Sequence, residues 1–403
     1  GSGKSLVLAA KGLQLIKENK SVILFTYNKT LPNLLRHYYE RFKKGDDEYF
    51  LLKEKNPNIE RENIPVFTHF MRYMKRHFYK KGQADVWKAF FPKGRLVEES
   101  MAQMCEVFKN DTKFEEFDAI LVDEGQDFMH EWWNACRSIL KKGGEAYFVI
   151  DNSQDIYKRN NVLSEKKWTG SGLVGRPSVL KASYRLPREY VSHMKKFFID
   201  YIDTEPDFLS SNSEVNMPEI SPQLELAGVE NCYLSWEQID EEEGVNRCVE
   251  LVLNDLTNLI DKFTYSNITL LTSSVESGRR VVEKLEENNL EVTHTFGVIS
   301  EEDEVDIPQW DQDEIEDAQK IHFNLSLEAI KATTTMSFKG FEAPLIIYFL
   351  EKGTSAKEVY TSLTRLRMGH GNTCHIKVVC SNPKFRSYGN TWSPQEGQEW
   401  LKI

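Results

Sequence analysis

The sequence predicts an α/β fold: two lobes, each a mainly parallel sheet flanked by helices. Three observations predict it. Short apolar, β-branched runs of about five to seven residues recur along the chain, as buried parallel strands require. Longer amphipathic or polar stretches separate them, with room for crossover helices. The chain has 403 residues, enough for two domains with cores of their own.

The first element is a helix over 9–18, inside the helix-forming run that follows Gly1-Ser2-Gly3-Lys4-Ser5. A strand over 21–27 and a helix over 31–42 come next. Residues 71–112 read as a small basic insertion with helical character. Strands at 119–123 and 147–151 complete the first lobe. The turn residues Trp168-Thr169-Gly170-Ser171-Gly172 place the boundary near 165–178, giving lobes of 1–170 and 171–403. In the second lobe, strands at 178–182, 268–271, 345–349 and 376–380 alternate with helices at 187–201, 245–259 and 277–287. Pro187 suits a first helical position, where its missing N–H costs nothing. The Pro-, Ser- and Asn-rich 202–228 reads as a long loop. Residues 301–317 carry ten carboxylates and no basic residue. They are expected as a solvated loop within a short acidic insertion of about 298–325.

Composition narrows the function classes. An aromatic content of 12% argues against general disorder. The six cysteines show no C-x-x-C pairing and no Cys/His ligand spacing, which excludes a visible zinc motif and fits a reducing cytosol. No apolar run approaches the ~20 residues of a membrane span, so no membrane partner is expected. The net charge of −11 disfavours a polyanion partner globally, yet residues 71–95 carry eight basic side chains against Asp85 alone. Six aromatics, Tyr73, Phe78, Tyr79, Trp87, Phe90 and Phe91, interleave with them. Cations track phosphates and aromatics stack on bases, although about half of these rings are needed for a helical core. Local patches, not the sum, decide where a polyanion docks.

Three segments carry chemistry. Gly1-Ser2-Gly3-Lys4-Ser5 is the back half of the phosphate-loop pattern G-x-x-x-x-G-K-[ST]. In that pattern the backbone of Gly1, Ser2 and Gly3 cradles phosphates, Lys4 reaches the β- and γ-phosphates, and the Ser5 hydroxyl binds Mg²⁺. The pattern's first glycine and its strand would precede residue 1, so an N-terminally truncated loop is expected. A flexible terminus or a cloning remnant would look the same over five residues. Next, an apolar strand runs straight into Asp123-Glu124-Gly125-Gln126-Asp127. Asp123 would hold Mg²⁺ through water and Glu124 would orient and deprotonate an attacking water. An ordinary acidic turn explains the carboxylates but not their abrupt placement. Finally, Gln154 and Tyr157 follow the strand at 147–151, where Gln154 would sense a γ-phosphate and Tyr157 face a base; a polar turn is the alternative.

Taken in order, these segments resemble UvrD/Rep-type superfamily 1 DNA helicases. Thr26-Tyr27-Asn28-Lys29 and Phe67-Thr68-His69-Phe70 are similar to the family's strand-contacting segments, which implicates Thr26, Asn28, Lys29, Thr68 and His69 in nucleic-acid binding. Asp123-Glu124-x-Gln126-Asp127 resembles D-E-x-Q-D, and Gln154-Asp155-Ile156-Tyr157 resembles Q-S-I-Y. Ser183-Tyr184-Arg185 resembles N-Y-R, implying Tyr184 beside the adenine and Arg185 at the γ-phosphate. Lys339-Gly340-Phe341-Glu342 resembles K-G-L-E, implying a ribose contact by Glu342. Thr361-Ser362-Leu363-Thr364-Arg365 resembles V-T-R-A, implying a second phosphate-contacting arginine, Arg365. An arginine fork suits that task, although a surface ion pair is the ordinary fate of a lone arginine.

The resemblance implies two RecA-like P-loop NTPase lobes, named 1A and 2A, hydrolysing ATP between them with Mg²⁺ and moving on single-stranded DNA, RNA not excluded. It also implies small trimmings: a 1B-like insertion at 71–112 and a minimal 2B. Met336-Ser337 stands where the family carries a histidine. Two functions follow as expectations. One is an ATP-dependent single-stranded-DNA translocase or helicase. The other is a nucleic-acid-gated ATPase switch that regulates an attached upstream or partner nuclease domain, with little unwinding.

Overall fold

The computed structural model describes residues 3–46, 64–90, 98–110, 115–150, 173, 182–183, 186–187, 190–202, 219–220, 231–258, 263–298, 309–323, 328–369, 372–392 and 401–402. It divides into two compact units, Gly3–Val179 and Leu180–Ile403. Both are mixed α/β.

In the first unit, helix α1 (Lys4–Lys17) leads into strand β1 (Val22–Thr26) and helix α2 (Leu31–Lys44). Strand β2 (Val66–His69) runs directly into α3 (Phe70–Lys80), followed by α4 (Ala84–Phe90) and α5 (Glu98–Lys109). Strand β3 (Phe117–Val122), α6 (His130–Arg137) and β4 (Leu140–Phe148) close the unit. The sheet order is β2-β1-β3-β4, with every pair parallel.

Pleating explains why β1 and β3 read as unbroken apolar runs. Val22, Leu24, Ala119 and Leu121 face one layer, with Leu8, Leu13 and Ile16 of α1 and Leu35 and Tyr39 of α2. Ile23, Phe25, Ile120 and Val122 face the other, with Met74 and Phe78 of α3, Met104 and Phe108 of α5, and Trp132 and Trp133 of α6. A strand covered on both faces has no polar side to alternate with. Burying each such large side chain is worth about 1.5–3 kcal/mol, so the sheet's position between helices is strongly determined.

The second unit holds a seven-stranded sheet in the order β13-β7-β12-β11-β8-β10-β9. Its strands are β7 (Asn231–Gln238), β8 (Ile268–Thr272), β9 (Val292–His294), β10 (Ile330–Thr334), β11 (Leu345–Leu350), β12 (Thr373–Cys380) and β13 (Leu401–Lys402). All neighbours are parallel except β13 against β7. A separate pair joins β5 (Ala182–Ser183) to β6 (Glu219–Ile220). Helix α7 (Tyr190–Phe197) stands in an aromatic cluster with Tyr360, Tyr388 and Trp392. Helices α8 (Glu241–Asn258) and α9 (Val275–Glu287) pack Val245, Val252, Val281 and Leu285 on Leu270, Ile347 and Phe349.

The acidic stretch corrects an expectation. Part of 301–317 is not loop but the start of α10 (Gln309–His322). The Gln319 amide brackets Gly297, accepting from its N–H at 2.8 Å and donating to its carbonyl at 3.1 Å. Lys320 pairs with Glu316 one turn back. Past the helix, Phe323 is buried against Phe341. These anchors outweigh the self-repulsion that composition alone emphasises. Residues 299–308 and 324–327 lie outside the described set.

Candidate active site

The parallel register of the first sheet places three motif segments side by side at its carboxyl edge. Thr26 pairs with His69 across β1 and β2, and Phe25 pairs with Val122 across β1 and β3. Asp123 therefore emerges beside Thr26, its N–H donating to the Phe25 carbonyl at 2.9 Å. In open parallel sheets, ligands bind outside the carboxyl ends of strands.

Gly3 caps α1 with φ 81°, the left-handed region that costs glycine nothing. That turn sets Lys4 and Ser5 as the first helical residues. The Ser5 hydroxyl donates to Asp123 Oδ2 at 2.8 Å, joining segments 118 positions apart. Asp123 is buried, and burial together with the neighbouring Glu124 charge pushes its carboxyl above the usual range; Ser5 and Lys4 pull it back. Ionising a carboxyl in so buried a place is costly, and an added positive charge would offset that cost. With a hydroxyl 2.8 Å away, this donor set fits a hard divalent cation that keeps most of its coordination for other oxygen ligands. Among the described residues, no cluster of three or more His, Cys, Asp or Glu forms an all-protein cage.

Glu124 adopts φ 53°, ψ 45°, an uncommon conformation for a non-glycine residue. The turn is pinned around it. Its N–H donates to Asp123 Oδ1 at 3.0 Å, and its carbonyl accepts from Asp127 N–H at 2.9 Å. Gln126, wholly buried, donates its amide to Glu124 Oε2 at 2.5 Å. Gly125 donates its N–H to the Val149 carbonyl at 2.9 Å, and a Cβ there would lie 2.8 Å from Phe148 Cδ1. Backbone strain held by surroundings of this kind is characteristic of functional turns. Gly125 and Gln126 were assigned no role from sequence. The signal was present as a glycine and an amide inside an otherwise acidic turn.

The nucleic-acid candidates divide. Thr26, Thr68 and His69 are buried. Thr26 Oγ1 donates to the Asn28 carbonyl at 2.8 Å, and Asn28 Oδ1 accepts from Thr30 N–H and Oγ1, which shapes the turn after β1. The Thr68 hydroxyl donates to the His69 carbonyl at 3.2 Å. His69 caps α3, its Nδ1 accepting from Arg72 N–H at 3.4 Å. Of these five candidates, Asn28 and Lys29 are the half-exposed ones.

In the second unit, Thr334 ends β10 and caps the short helix α11 (Thr335–Phe338), accepting from Ser337 N–H at 3.2 Å. Lys339 and Gly340, the latter at φ 93°, turn the chain toward half-exposed Glu342. Arg365 follows α12 (Ala356–Leu363) and is buried, donating Nε to the Thr361 carbonyl at 2.9 Å. The structure brings these two segments together. Ala343 exchanges backbone hydrogen bonds with Arg365 and Arg367, at 3.1 Å each, and Thr335 shares a 2.7 Å hydroxyl contact with Ser362. Gly1, Ser2, Gln154, Tyr157, Tyr184 and Arg185 lie outside the described residues.

No protein-family model and no curated protein matches the chain.

Proposed function

We propose that the chain is an Mg²⁺- and ATP-dependent single-stranded-DNA translocase or helicase of the UvrD/Rep-like superfamily 1 type, with two RecA-like lobes. The observation that carries the reading is the 2.8 Å bond from Ser5 to Asp123, with the pinned Glu124 next in sequence. A helix-start hydroxyl and a strand-end acid are the two protein ligands a nucleotide-bound magnesium needs. Ser5 and Asp123 would hold Mg²⁺, which when bound neutralises phosphate charge. Lys4 would add a fixed positive charge at the same phosphates. Glu124 would take the proton from water as its oxygen bonds to the γ-phosphorus and the bridging oxygen–phosphorus bond breaks, leaving ADP and phosphate. Glu342 would meet the ribose, and Arg185 and Arg365 would counter charge on the transferring phosphoryl group.

A second reading, an ATPase switch that governs an attached or partner nuclease, is favoured by one observation. Between β9 and β10 the described residues contain a single helix, α10, where a strand-separating subdomain would need many. Phosphate release measured with and without oligo-dT, beside displacement of a short duplex, tests both. DNA-stimulated hydrolysis with duplex opening supports the helicase, and stimulated hydrolysis without opening supports the switch. Hydrolysis indifferent to both DNA and EDTA contradicts either.

A further inference from the structure

A chain of hydroxyls in the second unit joins the elements that lead to Glu342 and Arg365. Thr335 opens α11, Tyr348 lies in β11, Ser362 is near the end of α12, and Ser273 follows β8. Thr335, Tyr348 and Ser362 are buried. The Thr335 and Ser362 hydroxyls meet at 2.7 Å. The Tyr348 hydroxyl lies 3.4 Å from Ser273 Oγ, which accepts from Thr354 Oγ1 at 2.9 Å. Burial pushes the Tyr348 phenol up, and hydrogen bonding with Ser273, Ser362 and Thr335 holds it below where burial alone would put it.

Packing alone does not call for these groups. The rest of β11, Leu345, Ile346, Ile347, Phe349 and Leu350, is apolar and buried, and a phenylalanine at 348 would leave no hydroxyl to satisfy. A buried polar network costs desolvation, and its effect is one fixed arrangement of the elements it joins. Ser362 carries that arrangement to Arg365, whose N–H donates to the Ser362 carbonyl at 3.0 Å. The Arg365 carbonyl accepts at 3.1 Å from Ala343 N–H, the residue after Glu342. The guanidinium is then held by α12 itself, with Nε on the Thr361 carbonyl at 2.9 Å and Nη2 on Thr364 Oγ1 at 3.3 Å.

We propose that Thr335, Tyr348 and Ser362 are positioning residues, whose hydroxyls fix α12 against α11 and β11 and so preset the Arg365 guanidinium for the transferring phosphoryl group. The inference rests on the reading of Arg365 as a phosphate-contacting residue and says how this chain orients it. The three hydroxyls act through Arg365 and touch no nucleotide. A preset arginine stabilises charge that develops in the transition state, so its displacement lowers kcat and spares KM. A hydroxyl with a purely structural role would lower the melting temperature and leave kcat unchanged.

The test is steady-state phosphate release by the full chain with Mg²⁺, ATP and oligo-dT, beside thermal unfolding. Y348F and T335V are each expected to lower kcat about tenfold with KM within about twofold of wild type. T335S keeps the hydroxyl and is expected to hold the wild-type rate; T335V keeps the test valid if Y348F fails to fold. T295V is the structural control, since Thr295 shares a buried 2.6 Å hydroxyl contact with Thr333 that does not involve α12. It is expected to lower the melting temperature and leave kcat unchanged. In an R365A background, Y348F is expected to cost nothing further, because the two residues act as a unit. Wild-type kcat in Y348F and T335V overturns the proposal. So does an equal fall in T295V, or an undiminished loss from Y348F in the R365A background. Failure of the wider reading is separate. If R365A hydrolyses at the wild-type rate, Arg365 loses its role and the proposal falls with it. If R365A is at least about 100-fold slower while Y348F and T335V are unimpaired, the arginine stands and the hydroxyl chain falls.

Discussion

Glu124 sits in a conformation that its own side chain disfavours, and its neighbours hold it there. The D-E-x-Q-D pattern singles out this turn in the sequence. The necessity of Gly125 was not legible, because the clash arises from Phe148 and Ile150, which come from the end of a different strand. Gly125→Ala is therefore expected to destabilise the protein by about 1–3 kcal/mol, the ordinary cost of overpacking, and to slow hydrolysis by displacing Glu124. Thermal unfolding beside phosphate release checks both. His69 shows the opposite limit. The motif alone does not reveal that the buried imidazole also caps α3. Capping depends on where the next helix begins, which a four-residue motif does not specify.

At the scale of elements, strands with both faces covered and mainly apolar residues were readable: β1, β3, β8, β11 and the second half of β12. Strand β10 was not, because Lys331 and two threonines interrupt its pattern. The structure resolves the conflict by satisfying the lysine, whose ammonium donates to the Ser266 and Ala329 carbonyls at 2.9 Å each. Burial brings its pKa down to about 8. Helix α9 carries a second conflict. Replacing Gly278 by alanine would gain about 1 kcal/mol of helix propensity. The new Cβ would lie 2.3 Å from two Phe296 ring carbons, and that ring is fully buried. Overpacking wins, so Gly278→Ala is expected to lower, not raise, the melting temperature. Helix α12 supplies a pH dependence. Burial first, and the nearby Glu351 charge second, push the Glu358 carboxyl up to about 7. A raised acid stabilises the fold through its protonated form. That contribution is complete below about pH 4.3 and is lost as pH rises through 7, amounting to at most about 3 kcal/mol. Melting curves of Glu358→Gln are expected to be flatter between pH 5 and 8 than those of the wild type.

For the whole molecule, two α/β units were foreseeable from length and from the recurrence of apolar runs. Turn residues suggest a boundary near 165–178, and the compact units divide between Val179 and Leu180. Composition cannot fix such a position, since it depends on which sheet recruits each segment. The net charge likewise hides a local feature: eight of the basic residues fall within 71–95. The proposed function makes one demand on the whole chain. Nucleic acid must change the rate of a reaction whose residues, Lys4, Ser5, Asp123 and Glu124, belong to the first unit. The most direct test measures phosphate release with Mg²⁺ and oligo-dT for wild type and Glu124→Gln, alongside binding of a fluorescent ATP analogue. Glu124→Gln is expected to bind nucleotide as the wild type does and to hydrolyse it at least about 100-fold more slowly. Hydrolysis by Glu124→Gln at the wild-type rate would contradict the assignment of Glu124 as the base.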